Sequence, residues 1–85
     1  MTVNWSGVAS PKVKDWIGLF AVGSSDLSAL NWVFTSSCTQ TAGTTAKASG
    51  SCSLAMPSTA GTYEIRLYAN NAYTLLAKSS AISVS

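Results

Sequence analysis

No stretch of this 85-residue chain sustains apolar residues at helical spacing; short β-branched and aromatic runs alternate with clusters of Gly, Ser, Asn and Pro. Thr62 to Ala69 alternates most cleanly, with Tyr63, Ile65, Leu67 and Ala69 on one face and Thr62, Glu64, Arg66 and Tyr68 on the other. Asp15 to Val22 is apolar on both faces, Trp16, Phe20 and Val22 against Ile17, Leu19 and Ala21, which predicts a central strand. Gly18 inside it predicts a bulge or a close neighbouring backbone. Strands are also predicted at Thr2 to Ser6, at Leu30 to Thr35 and at Ser51 to Met56, where Leu54 and Met56 share a face and Pro57 ends the run. Tyr73 to Val84 supplies one broken strand or two short ones, after a turn signalled by Asn70-Asn71. Ser36 to Gly50 is almost wholly Ser, Thr, Ala and Gly and reads as a long loop or a weak edge strand. Six or seven strands with a turn about every 8 to 12 residues predict an all-β antiparallel sandwich, with residues 1–85 forming a single domain.

Composition narrows the function classes. The chain has 5 basic and 3 acidic residues, a net charge of +2, too weak to make nucleic acid or an anionic membrane its main partner. Its polarity comes from 15 Ser and 9 Thr. There is no His, so a serine nucleophile lacks its usual base, and two Cys without His do not make a zinc site. No glycine-rich phosphate loop or calcium-loop spacing occurs. The expectation is a protein that is not an enzyme, with no catalytic residues, metal or cofactor. No run approaches the roughly 18 to 20 apolar residues of a membrane helix, so no membrane span is expected.

Cys38 and Cys52 form an even count in a small, hydroxyl-rich chain of extracellular character, which favours a disulfide over two unpaired thiols on neighbouring strands. In the chain-entropy view such a bridge is worth on the order of 3 kcal/mol. Met1 to Trp5 lacks the basic start and apolar run of a signal peptide. An extracellular, secreted or cell-surface location then implies a leader or longer parent chain that has been removed, or another export route.

Three features go beyond a generic sandwich. Gly61-Thr62-Tyr63 opens the clearest strand, with Tyr63 two residues before the core position Ile65, as in the tyrosine corner of immunoglobulin-like folds. Trp16 falls in the second strand, where that fold carries its core Trp. The string Asp15-Trp16-Ile17-Gly18-Leu19-Phe20, preceded by Val3-Asn4-Trp5-Ser6-Gly7 and followed by Trp32, resembles the immunoglobulin- or fibronectin III-like domain at the N-terminus of purple acid phosphatases. It is similar also to SKICH domains and to β-sandwich modules of bacterial secreted proteins, as are the segments from Gly61 to Asn71 and from Leu76 to Ser79.

The resemblance implies an accessory module, because purple acid phosphatases keep their metal site in a separate domain. It implies Trp16 and Tyr63 as core signature residues, and no inter-sheet disulfide, since apolar residues near Val3 or Trp5 and at Ile65 hold its positions. Such modules carry a further strand ahead of the Val-x-Trp-Ser-Gly segment. The first sheet is therefore expected to end in an unpaired edge, to be completed by another copy, by a neighbouring domain, or by the chain's own Ser36 to Gly50 loop.

Asp15, ahead of a buried Trp and near Lys12 and Lys14, reads as a turn cap or the partner of a base. Glu64 and Arg66 read as a solvated cross-strand ion-pair set, and Asp26 as a turn residue. Trp5 and Trp32 read as core. The aromatics expected to be exposed are Tyr68 and Tyr73, flanking Asn70 and Asn71. These four form the one constellation suited to a carbohydrate, by ring stacking and amide hydrogen bonds. The function expected is a non-catalytic structural or adhesive module whose partners are other domains of a parent chain or further copies. The alternative is a carbohydrate-binding module with a glycan partner.

Overall fold

In the computed structural model residues 2–8, 10–26, 28–55, 57–79 and 81–84 are described, and among them seven strands form two antiparallel sheets. They are β1 (Thr2–Trp5), β2 (Trp16–Ala21), β3 (Asn31–Phe34), β4 (Gly50–Ser53), β5 (Gly61–Ala69), β6 (Thr74–Lys78) and β7 (Ile82–Val84). The small sheet is β1–β4; the large one runs β3-β2-β5-β6, with β7 also pairing β5. The chain is thus an all-β sandwich. Among the described residues no helix is long and apolar enough to cross a membrane.

The doubly apolar β2 is central, paired with β3 on one side and β5 on the other. Period-two alternation divides the central strands β2 and β5 into two buried faces. The inner face presents Ile17, Leu19, Val33, Tyr63, Ile65 and Leu67 to Val3 and Cys52 of the small sheet and to Leu54 beyond it. Met56, which the sequence groups with Leu54, lies outside the described residues. Tyr63 is buried here, and its hydroxyl donates to the Thr59 carbonyl at 2.7 Å.

The outer face carries Trp16, Phe20, Phe34 and Tyr68, with Trp32 half-buried against them. Trp5 is likewise half-buried, at the edge of the inner core. Gly18 lies between Trp16 and Phe20 on the outer face. A Cβ there would stand 2.8 Å from the Phe20 ring and 2.9 Å from the Trp16 ring. The glycine therefore answers to two rings, and neither a bulge nor a neighbouring backbone. The bulge falls instead between Leu67 and Tyr68, where β5 meets β6.

The last two strands are one interrupted strand along β5. β6 pairs Arg66 to Ala69, and β7 pairs Gly61 to Tyr63. Across the break Ser79 donates its N–H to the Ile65 carbonyl at 2.8 Å, and its hydroxyl accepts from the Ile65 N–H at 2.9 Å.

Residues 35–49 form a loop. Its abundant hydroxyls take the place of a ladder: the Ser37 hydroxyl donates to the Thr41 carbonyl at 2.6 Å, and the Ser36 hydroxyl to the Val13 carbonyl at 2.7 Å. A disulfide joins Cys38 in this loop to Cys52 on β4, with Cα atoms 5.2 Å apart. The loop's far end continues the β1–β4 pairing, through Val8 N–H to the Ala48 carbonyl at 3.2 Å. Among the described residues β4 is the only strand paired with β1, so the other edge of β1 is open.

Candidate functional site

The outer face of the large sheet is built on the register between β2 and β5. Gly18 stands opposite Arg66 and Phe20 opposite Glu64 across β2 and β5. The missing side chain at Gly18 leaves room for the Phe20 ring, and the Arg66 guanidinium lies over that ring, 4.3 Å from its centroid. Arg66 Nε donates to Glu64 Oε2 at 2.6 Å, Nη1 to Asp26 Oδ1 at 3.2 Å, and Nη2 to the Ser24 carbonyl at 2.9 Å. Nη1 also reaches the Tyr68 hydroxyl, which in turn donates to Asp26 Oδ1. Burial first, and the hydrogen bond to Asp26 next, push the Tyr68 phenol above the ordinary tyrosine range. The hydrogen bond that Arg66 donates to Tyr68, working against desolvation, raises the Arg66 pKa in turn.

Two sequence expectations are corrected here. Glu64 and Arg66 are buried, at 5% and 6% exposure, and are not a solvated ion-pair set. Tyr68 is fully buried, at 0% exposure, and is no platform for a sugar. The reason is the same for both: β5 is interior to the large sheet, and the 22–30 loop closes over its outer face through Ser24 and Asp26. The signal was present in β2, whose two apolar faces imply that a strand paired beside it is covered on both faces as well. Asp26 is more than a turn residue, since it carries the loop's side-chain link to β5.

Asp15 is buried and acts as a cap: Oδ2 accepts from the Lys12 N–H at 2.9 Å and Oδ1 from the Asn70 N–H at 2.8 Å. The turn beyond β5 is set by Asn70 and Asn71, both in the left-handed region at φ of 47° and 58°, where Asn is among the better-tolerated residues. Trp16 Nε1 donates to the Ala72 carbonyl at 3.1 Å and fastens this turn to β2.

A pocket of about 270 Å³ opens where the turn meets the β2–β3 loop, lined by Trp16, Asp26, Ala29, Trp32, Asn71 and Tyr73. Tyr73 is 54% exposed. Of the four candidate ligand-binding residues, then, Asn71 and Tyr73 meet in one pocket, Tyr68 lies buried beside it, and Asn70 lines a groove elsewhere. Trp32 and Asp26 join from a loop and strand far away in sequence, which spacing could not reveal.

A second concavity of about 430 Å³ lies between β1 and β6, with Val3, Trp5, Ile17, Ile65, Leu67 and Ala77 among its walls. Its floor is made by residues of the inner core, beside the open edge of β1. Among the described residues no group of three or more His, Cys, Asp or Glu is placed to hold a metal ion. Compared with known proteins, the chain matches no family model, no curated relative and no solved structure.

Proposed function

We propose that the chain is an immunoglobulin/fibronectin III-like accessory module, non-catalytic and extracellular, that works by associating with protein partners. The strand order supports the fold assignment. β3-β2-β5-β6 corresponds to strands C′, C, F and G, and β1–β4 to B and E. The hydrogen bond from Tyr63 to Thr59, at the start of the strand that corresponds to F, is the tyrosine-corner arrangement. The Cys38–Cys52 disulfide is in keeping with an oxidising compartment.

The observation that carries the functional reading is the open edge of β1 beside the concavity floored by the buried Ile65 and Leu67. Proteins guard such edges with charge, proline, bulges or a covering segment. Thr2-Val3-Asn4-Trp5 has no charge and no proline, and its pairing with β4 is regular. A second copy pairing β1 to β1 about a two-fold axis extends the small sheet of each copy with one self-complementary contact.

Light scattering over a concentration series tests this. The mass of the wild type rises above 8.8 kDa with concentration, and Asn4→Lys, which places a guard charge on an exposed edge position, keeps the mass at the monomer value. A wild-type mass constant at 8.8 kDa defeats self-association. The carbohydrate reading, in its original form, loses Tyr68 to the core and Asn70 to another face. What remains is the Trp16–Trp32–Tyr73 pocket, whose chemistry is of a different kind.

A further inference from the structure

We infer that the Trp16–Trp32–Tyr73 pocket is a binding site for a small organic cation, an ammonium or methylated ammonium group. This goes beyond the accessory reading and does not depend on what pairs with β1.

Ring geometry is the first argument. Trp32 meets Trp16 at 71° with centroids 6.1 Å apart, and Tyr73 meets it at 89° with centroids 5.9 Å apart. Rings so steeply inclined share no plane and offer no extended flat platform to a sugar. They border one small volume from several directions, which suits a compact cation held by ring quadrupoles.

Charge is the second. The network beside the pocket holds one guanidinium, Arg66, against two carboxylates, Glu64 and Asp26. It therefore carries one surplus negative charge, and Asp26 is the carboxylate that reaches the pocket wall. Its side chain is 52% exposed. Both of its hydrogen bonds fall on Oδ1, and Oδ2 accepts none among the described residues. A carboxylate oxygen with spare acceptor capacity beside three aromatic rings is matched by a positive ligand and gives a neutral one far less.

Size is the third. At about 270 Å³ the pocket is at the small end for organic ligands, enough for a trimethylammonium head and the start of its chain. Rigidity is the fourth. Trp16 is pinned through Nε1 to Ala72 and by stacking on Tyr68, and Asp26 is held by Arg66 and Tyr68, so these walls are formed before any ligand arrives.

The test is a nuclear magnetic resonance titration of the indole N–H signals of Trp16 and Trp32. The probes are choline, its uncharged isostere 3,3-dimethylbutanol, and methyl glucoside. Choline is expected to shift both signals saturably at millimolar concentration, with 3,3-dimethylbutanol weaker by ~tenfold or more. Tyr73→Ala, which removes a half-exposed ring, is expected to weaken choline by ~tenfold while preserving the circular dichroism spectrum. Asp26→Asn keeps an acceptor for Tyr68 and is expected to lower choline affinity by a similar factor. If it fails to fold, Tyr73→Ala and the neutral isostere decide alone. The inference is overturned by equal binding of 3,3-dimethylbutanol, by methyl glucoside shifting the indoles where choline does not, by choline binding that Tyr73→Ala leaves unchanged, or by no response to choline at all.

Discussion

Trp16 and Tyr68 stand directly opposite each other on β2 and β5, and their rings stack with centroids 4.5 Å apart and planes 21° apart. Phe20 leans on both from the same face, at 6.3 Å from Trp16 and 5.7 Å from Tyr68. This second core lies on the side of the sheet that faces away from β1 and β4, and it supports the pocket above it.

Trp16→Ala removes the centre of that cluster and the hydrogen bond to Ala72. The expected loss is about 3 to 5 kcal/mol, as for a buried aromatic truncated to alanine. Urea denaturation measures it; a loss under about 1 kcal/mol would mean that Trp16 is not part of a packed core.

Arg66→Met leaves Glu64 buried without its cation and deprives Asp26 of its pair. Removing one partner of a buried ion pair is expected to destabilise by about 3 to 5 kcal/mol. Joining it to Glu64→Leu removes the stranded charge, and the double variant should recover a large part of that loss. A double variant less stable than the single would show that the stranded Glu64 charge is not what destabilises Arg66→Met.

Alkaline pH is expected to weaken the fold through Tyr68. Its folded pKa is raised, by burial and then by Asp26, above an unfolded value of about 10. The folded state therefore holds its proton where the unfolded state releases it. The resulting stabilisation is complete below the unfolded pKa and is lost as pH rises through the folded one. Denaturant midpoints followed from neutral pH upward should fall beyond about pH 10 more steeply in the wild type than in Tyr68→Phe, which cannot ionise. Parallel curves for the two proteins would contradict the assignment.

Reducing the disulfide frees the 35–49 loop from β4. The 14-residue separation of Cys38 and Cys52 corresponds to about 3 kcal/mol in the chain-entropy treatment. Thermal melts with and without reductant report it, and coincident melts would show that the hydroxyl network alone holds the loop. Alkylation and mass measurement without reductant should find no free thiol.

How much of this was legible in advance follows from what each feature depends on. Alternation along a strand is a local property. Ile17 and Leu19 on one face of β2, and Tyr63, Ile65 and Leu67 on one face of β5, could be grouped from period two alone, and the structure places both groups in the inner core. The left-handed pair Asn70-Asn71 was readable as a turn for the same local reason, and of the two roles open to Asp15, turn cap or partner of a base, the structure shows the cap. The Ser79 hydroxyl that bridges the last strand's break was not readable, because an isolated serine carries no signal of the backbone it will face.

The outer face is where local reading failed. Glu64, Arg66 and Tyr68 form a polar row that by alternation alone belongs to solvent. Only the pairing of β5 beside β2 sets Arg66 opposite Gly18, and only the 22–30 loop folding back brings Asp26 to the guanidinium, 40 residues away in sequence. The pocket likewise draws Trp16, Trp32 and Tyr73 from β2, β3 and the turn before β6. The sequence by itself determined the strands, which residues share a face and the turns between them, because each depends on a few neighbouring residues. The tertiary structure decided which polar face was buried and which aromatics met, because both depend on strand order and loop closure.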